Sequence, residues 1–347
     1  MKKAGEIDAK ANIIKMLIKV ARVIIILVFT LLIGFANEIT GQVNPLYVHD
    51  PVMICHNQTY YLFCTGWGIS IFSSADMINW TYAGKVFDES PSWAFASVPE
   101  FKGHIWAPDI SYHNGTYYIY YSVSAFAKNT SCIGLATNST LDPTDPNYQW
   151  VDAGVVIQSV PGRDQWNAID PNLVIEDDGS PWLVFGSFWE GIKLVRLDSG
   201  YTAPAQPEEW YALARRERDY QISERDPGNG AIEAPFIFRK NGYYYLFVSF
   251  DYCCRGKESN YKIMIGRSEE ITGPYLDRQG TDMYYGGGSL VLKGDSDWPG
   301  IGHNAVYRVD NKDYIIYHAY DANDDGKPKL MIRELTWDNE DWPQVVL

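Results

Sequence analysis

A turn-and-strand phrase returns five times along this chain: Asn57-Gln-Thr-Tyr-Tyr-Leu-Phe63, Asn114-Gly-Thr-Tyr-Tyr-Ile-Tyr120, Asp178-Gly-Ser-Pro-Trp-Leu-Val184, Asn241-Gly-Tyr-Tyr-Tyr-Leu-Phe247 and Asn311-Lys-Asp-Tyr-Ile-Ile-Tyr317. The copies stand 57, 64, 63 and 70 residues apart. That spacing is too long for a solenoid, whose repeats run roughly 20–50 residues, and it suits the blades of a propeller. Asn-Gly and Asp-Gly accept positive φ at both central turn positions, so each phrase reads as a tight hairpin feeding an aromatic strand. Upstream of the turns stand Asp50, Asp109, Asp170, Glu233 and His303, one per repeat. If the repeats are blades around an axis, equivalent positions converge near it and these five groups share a pocket.

A second β-rich stretch follows each phrase: Ile69–Ser73, Ser131–Ala136, Gly191–Arg196, Tyr261–Gly266 and Leu330–Leu335. Short strands separated by Gly, Pro, Asn and Asp predict an all-β, five-bladed β-propeller with four-stranded antiparallel blades. Pro207 to Arg218 is the stretch that looks helical. No Ser/Gly linker or charge block divides the chain after residue 42, so 42–347 reads as one domain.

Residues 1–41 read differently. Six basic residues (Lys2, Lys3, Lys10, Lys15, Lys19, Arg22) precede or open the apolar run Val23–Ala36, the pattern of an export signal with a small-residue cleavage site near Gly34-Phe-Ala36. The alternative is an uncleaved anchor, since Val20 to Ala36 reaches the lower length limit of a membrane span. Either way the domain is expected outside the cytoplasm, secreted or periplasmic if cleaved and membrane-attached if not. The leader holds six basic and three acidic residues, which leaves 23 basic against 40 acidic in the rest. Such a surface repels phosphate backbones and anionic polysaccharides, which excludes nucleic acid as a natural partner and favours a neutral substrate. The 25 Tyr and 12 Trp supply rings that stack on sugars or fill β cores. Five cysteines are too few for a disulfide framework, and the adjacent Cys253 and Cys254 read as a vicinal disulfide or as free thiols rather than as zinc ligands.

Four acids stand next to or close to a proline, in His49-Asp50-Pro51, Trp106-Ala-Pro-Asp109, Ala168-Ile-Asp170-Pro171 and Ile232-Glu233-Ala-Pro235. A single Asp beside Pro is ordinarily a turn residue, and Asp109 keeps that reading. Shared phase argues otherwise for Asp50, Asp170 and Glu233. Carboxylates crowded without cations cannot all ionise normally, so one stays protonated while another stays charged. Glycoside hydrolysis needs such a division between an acid for the leaving group and a base for water. Glu233, among apolar neighbours, is the expected protonated acid. His303, facing the carboxylates, reads either as a hydrogen-bonding core residue or as a contact for a hydrated cation.

The motifs together resemble glycoside hydrolase family 43 and, within it, the endo-1,5-α-L-arabinanases. His49-Asp-Pro, Trp106-Ala-Pro-Asp, Asn167-Ala-Ile-Asp-Pro171, Gly186-Ser-Phe-Trp189-Glu-Gly-Ile192, Ile232-Glu-Ala-Pro-Phe236, Cys253-Cys-Arg-Gly256 and Gly302-His-Asn304 carry the resemblance, which runs from about residue 47 to the end. It implies a five-bladed propeller that cleaves internal α-1,5-L-arabinofuranosidic bonds of plant cell-wall arabinan with inversion. Asp50 would be the general base, Glu233 the general acid and Asp170 the residue that tunes and orients the acid. Trp106, Asn167, Trp189 and Phe126 would line sugar subsites. His303 would contact a central ion, usually calcium (Ca2+), mostly through water. Inversion places the two reacting carboxyls about 6.5–9.5 Å apart. The competing readings are an exo-acting α-L-arabinofuranosidase or β-xylosidase, a sugar-binding or protein-binding propeller without catalysis, and a retaining fructan-active propeller.

Overall fold

Each hairpin phrase turns the chain between the first two strands of a four-stranded antiparallel sheet. The computed structural model describes residues 45–347, so the expected leader lies outside the described residues. Blade I holds β1 (Val52–His56), β2 (Thr59–Cys64), β4 (Ser70–Ser74) and β5 (Thr81–Lys85). Blade II holds β6 (His104–His113), β7 (Thr116–Val123), β8 (Ser131–Asn138) and β9 (Val151–Ser159), with a two-residue strand β3 (Gly66–Trp67) crossing from blade I to pair with β6. Blade III is β10 (Asn172–Ile175), β11 (Pro181–Phe185), β12 (Ile192–Arg196) and β13 (Trp210–Ala214). Blade IV is β14 (Ile232–Lys240), β15 (Tyr243–Phe250), β16 (Lys262–Ser268) and β17 (Ser289–Lys293). Blade V is β18 (Ile301–Val309), β19 (Lys312–Asp321), β20 (Lys327–Trp337) and β21 (Pro343–Val345).

The first strands are neighbours in order, β1 beside β6, β6 beside β10, β10 beside β14 and β14 beside β18, and β18 returns to β1. The described chain is a five-bladed β-propeller. An apolar cluster fills each gap between blades: Phe63, Ile71 and Tyr121 between I and II, Leu135, Leu173 and Phe185 between II and III, Val184, Leu246 and Tyr275 between III and IV, Phe247, Ile263 and Ile315 between IV and V, and Met53, Leu62 and Ile316 between V and I. Burial of the strand side chains on both sheet faces explains why the phrases are so rich in Tyr, Phe and Leu. The ring is closed by residues before β1. Leu330 donates its N–H to the Leu46 carbonyl (2.9 Å), Val48 donates to Pro328 (3.3 Å), and Tyr47 pairs with Lys329. The near half of β20 thus holds the chain's incoming segment while its far half holds β21, where Leu335 pairs with Val345.

Two sequence readings need correction. Pro207 to Arg218 forms no helix; Trp210–Ala214 is β13, paired with β12, and Trp210 packs on Trp166 and Phe185. Strand pairing and aromatic packing outweigh the helical propensity of its Glu, Leu and Ala residues. A short α-helix, Ser92–Ser97, lies instead between β5 and β6. In blade V the turn begins at Asp310, whose φ is 52°, so the fifth phrase is one residue out of register and Ile316, not Tyr317, matches Phe247. Asp-Asn serves the turn as well as Asn-Lys, which hid the slip.

Candidate active site

One residue with positive φ stands near the start of every first strand, just before it in blades I and III and at a register shift within it in the others: Asp50 (54°), Ala107 (43°), Asp170 (58°), Ala234 (54°) and His303 (51°). These five positions share the true phase of the repeat. Pro51, Pro108, Pro171 and Pro235 follow four of them, and Asn304 follows the fifth. Asp109 and Glu233 therefore lie two residues after and one residue before the shared position, and the five-group phase read from the sequence is correct for Asp50, Asp170 and His303. A left-handed residue other than glycine costs about 1–3 kcal/mol and persists only where its surroundings over-determine it. Here the preceding blade supplies the constraint. Each of these N–H groups donates to a side chain across the blade gap: Asp50 to His318 Nδ1 (3.1 Å), Ala107 to Thr65 Oγ1 (2.8 Å), Asp170 to Ser122 Oγ (3.0 Å) and His303 to Ser249 Oγ (2.9 Å). Thr65, Ser122, Ser249 and His318 stand eight residues after the first turn residue of their own blades. Blade III has Gly186 there, with no side chain to offer, and Ala234 N–H donates instead to Asp170 Oδ2 (3.1 Å).

Asp50 sits at the seam between blades V and I. Its Oδ1 accepts from His49 Nδ1 (2.8 Å) and His303 Nδ1 (3.0 Å), and its Oδ2 accepts from Thr65 Oγ1 (2.5 Å). Burial opposes its charge, but His303 and His49 overcome that and hold the carboxyl well below the usual carboxylate range. Asp50 is a carboxylate with lone pairs left over, the form a base requires. His318, completely buried, lies 3.8 Å from Asp50 Oδ1, yet its Nδ1 accepts the Asp50 N–H. Burial, reinforced by His49, pushes its pKa down, so His318 is a neutral acceptor and not an ion-pair partner.

Asp170 and Glu233 form the other half of the site. Asp170 is buried, and burial pushes it up to about 8; Glu233 and Asp50 add to the rise while His303 opposes it. Asp170 therefore keeps a proton at neutral pH, beside Glu233. Glu233 is half-buried. Ser187 Oγ donates to its Oε2 (2.7 Å) and Tyr261 OH to its Oε1 (2.7 Å). By gripping the N–H of Ala234, Asp170 also fixes the backbone that carries Glu233.

His303 completes the ring of charges. Burial alone would lower its pKa, but Asp50, then Asp170 and Glu233, raise it to about 9. Beside it Asn304 is buried with neither end of its amide bonded to the protein, and His318 Nε2 and Asn167 Oδ1 are likewise buried without a partner among the described residues. Buried polar atoms ordinarily have partners, so this set calls for water. The donors fit a cation held through its water shell: oxygen from Asn304, acidic charge nearby, and His303 Nδ1 already engaged by Asp50. They do not fit an ion ligated directly by all of them.

The expected sugar-binding residues divide. Phe126, 77% exposed, lies in the loop after β7, at the end of the propeller where the first strands begin. Trp106, the third residue of β6, lies near that end and is half-buried. Trp189 is only 2% exposed and its Nε1 donates to the Glu224 carbonyl (3.0 Å), so it presents no open ring face and braces the blade III loop instead. Asn167 is buried, with its free Oδ1 as its point of interest. Trp67, 67% exposed on β3, is an aromatic ring at this end that the sequence reading passed over. Asp109 is a structural acid but not the turn residue expected: it is buried within β6, where it accepts from Leu173 N (2.8 Å) and Asn172 Nδ2 (3.1 Å) and ties blade II to blade III. Burial pushes it up to about 6. Cys253 and Cys254 are joined as a vicinal disulfide, which leaves neither sulfur as a thiolate for zinc.

A family model described as Glycosyl hydrolases family 43 matches residues 41–343. The chain belongs to glycosyl hydrolase family 43. It is 53% identical over 298 residues to the extracellular exo-α-(1→5)-L-arabinofuranosidase ArbA of Cellvibrio japonicus, covering 86% of both chains. It is 43% identical over 321 residues to the extracellular endo-α-(1→5)-L-arabinanase 1 of Bacillus subtilis, covering 91% of this chain and 93% of that one. Among solved structures it is similar to the Cellvibrio cellulosa α-L-arabinanase complexed with arabinohexaose, at 52% identity and a TM-score of 0.86, over 87% of this chain and 96% of that one. The family 43 chain described here is a glycosidase with arabinanase relatives.

Proposed function

We propose that this family 43 chain hydrolyses the α-1,5-L-arabinofuranosidic bonds of arabinan by a single displacement. The observation that carries the chemistry is the contrast between Asp50, held ionised by two histidines, and buried Asp170, which keeps a proton beside Glu233. Asp50 takes a proton from a water that attacks one face of the sugar ring. Glu233, aimed by Ser187 and Tyr261, protonates the departing O5 oxygen from the other side. Asp170 keeps the acid's partner position and adds a like charge when the proton leaves. Phe126, Trp106 and Trp67 offer ring faces for further sugar units. Relatives named as extracellular, together with the cationic and apolar leader, support export.

Endo attack is the first reading for the mode of cleavage, supported by the motif resemblance and the 43% identical relative. Chain-end attack is the second, favoured by the 53% identical relative named for it. Early digestion of linear α-1,5-arabinan separates them. Internal cleavage releases a ladder of oligosaccharides and lowers viscosity before small products dominate. A single short product from the first minutes, with viscosity kept, would overturn the endo reading. No arabinan cleavage at all would overturn the substrate.

A hydrated calcium ion at the hub is part of this proposal, with His303 and Asn304 meeting its waters. When bound, such an ion lends positive charge that offsets the clustered carboxylates. A chelator is expected to lower both activity and melting temperature, and calcium to restore them by mass action. His303→Ala should reproduce the loss and be insensitive to chelator. If neither treatment moves either property, His303 serves only as Asp50's partner.

A further inference from the structure

Loop 251–256, between β15 and β16, opens onto the same end of the propeller as the catalytic acids and is fastened at several points. Asp251 is held by Arg216 Nη1 (2.6 Å) and Lys262 Nζ (2.6 Å). Tyr252 N–H donates to Asn260 Oδ1 (3.0 Å), Arg255 N–H to Ser259 Oγ (3.1 Å), and the Arg255 guanidinium stacks 3.8 Å above the Tyr252 ring. At its tip, Cys254 is exposed, has φ 63°, and is bonded to Cys253.

A chain of hydrogen bonds leads from this tip to the base. Cys254 N–H donates to the Tyr320 phenol oxygen (2.8 Å). Tyr320 O–H meets His49 Nε2 (2.7 Å), and His49 Nδ1 meets Asp50 Oδ1 (2.8 Å). All three bonds run in one direction in the His49 tautomer that donates from Nδ1. Cys254 Sγ lies 3.8 Å from both His49 Nε2 and the Tyr320 oxygen, so the disulfide flanks the relay. His49 also stacks on buried His318, with ring centroids 4.0 Å apart, so its ring is braced on one face and held at Nε2 by Tyr320. The Cys254 backbone conformation sets the direction of the first N–H, and the bond to Cys253 removes the freedom that would let it swing away.

We propose that the Cys253–Cys254 disulfide, acting through Tyr320 and His49, is a positioning element for Asp50. The inference rests on the arabinan reading for its assay and on the hydrogen-bond chain for its content. Reduction by a dithiol transfers two electrons and two protons to the disulfide, giving two cysteine thiols and the reductant's own disulfide. The loop tip then relaxes, Tyr320 loses a fixed donor, and the carboxylate that must meet water is less well aimed. Misplacement of a reacting group by about 1 Å can cost on the order of 10²-fold, and partial loosening is expected to cost about tenfold.

The experiment compares oxidised protein, calcium present, with protein treated with a dithiol and desalted under inert gas, two new thiols being counted by labelling. On linear arabinan kcat should fall about tenfold after reduction while KM changes less than about twofold, and reoxidation should restore it. Cys253→Ser/Cys254→Ser should match the reduced protein and ignore reductant. Tyr320→Phe should also lower kcat, and combining it with the serine pair should add little, because both cut one chain. If the serine variant fails to fold, reduced wild type and Tyr320→Phe decide. Unchanged kcat with both thiols counted overturns the proposal. So does raised KM with kcat kept, which would make the disulfide a surface for sugar. Inactivity of the oxidised wild type on arabinan would instead sink the substrate reading, and a crystal structure of the reduced protein would still test whether Asp50 leaves His49.

Discussion

Glu233→Ala is expected to lose about 10³-fold of its turnover on arabinan while keeping most of its activity on an aryl arabinofuranoside. A general acid contributes typically 10²–10⁴-fold, and that contribution is needed only where the leaving group is a poor one. An alkoxide from the sugar chain needs Glu233's proton; a phenolate does not. Asp50→Ala should lose comparable activity on both substrates, because every substrate needs activated water. A small anion such as azide, which needs no base, should restore part of it. Kinetics of both variants on both substrates check the assignment. If Asp50→Ala spared the aryl substrate and Glu233→Ala did not, the two roles would have to be exchanged.

Asp170 is expected to show two separable contributions. Asp170→Asn keeps an oxygen for the Ala234 N–H and removes the charge; Asp170→Ala removes both. Ionisation of Asp170 puts a second negative charge into the site, and like charges disfavour one another's ionised forms. With Asp170 pushed up to about 8 in the wild type, the alkaline limb of kcat/KM should move to lower pH in Asp170→Asn. In Asp170→Ala the same shift should come with a further loss of kcat of about 10²-fold, as β14 loses its anchor and Glu233 its aim. A limb that stays in place in both variants would remove Asp170 from the proton's environment and leave it only a structural role.

The propeller was legible because its repeat is written in turn chemistry. Asn57, Asn114, Asp178 and Asn241 each mark a hairpin, and the aromatic strands behind them carry the blade cores. The site was legible where an acid occupies the entrance of a first strand, as Asp50 and Asp170 do. It blurred where the shared position holds alanine. Ala107 and Ala234 have the same left-handed backbone, and the prolines that follow all four of these residues were the better ruler, since proline marks the backbone while the acid marks only chemistry. The cross-blade acceptors Thr65, Ser122, Ser249 and His318 went unread although they recur at a fixed offset from their turns. Thr, Ser and His at one position look unrelated until their shared task, accepting an N–H, is known. Trp189 shows the converse limit: a tryptophan in a sugar-enzyme motif says nothing about which ring faces are open, and here a carbonyl from a distant loop takes its indole N–H. The helical reading of residues 207–218 failed because local propensity carries no information about the strand waiting beside it.

The closure of the ring gives Asp50 an unusual dependence on the edge of the fold. It follows the stapled residues 46–48 by two positions, and its partners His303 and His318 belong to the last blade while Thr65 belongs to the first. Opening the seam at that staple would require no apolar cluster of blades II to IV to come apart, yet it would part the base from His303 and His318. Under gentle heating or low denaturant, turnover should therefore fade ahead of the global melting signal. Amide exchange at Val48 and Leu330 would report the loss of function more faithfully than the protein's overall melting temperature.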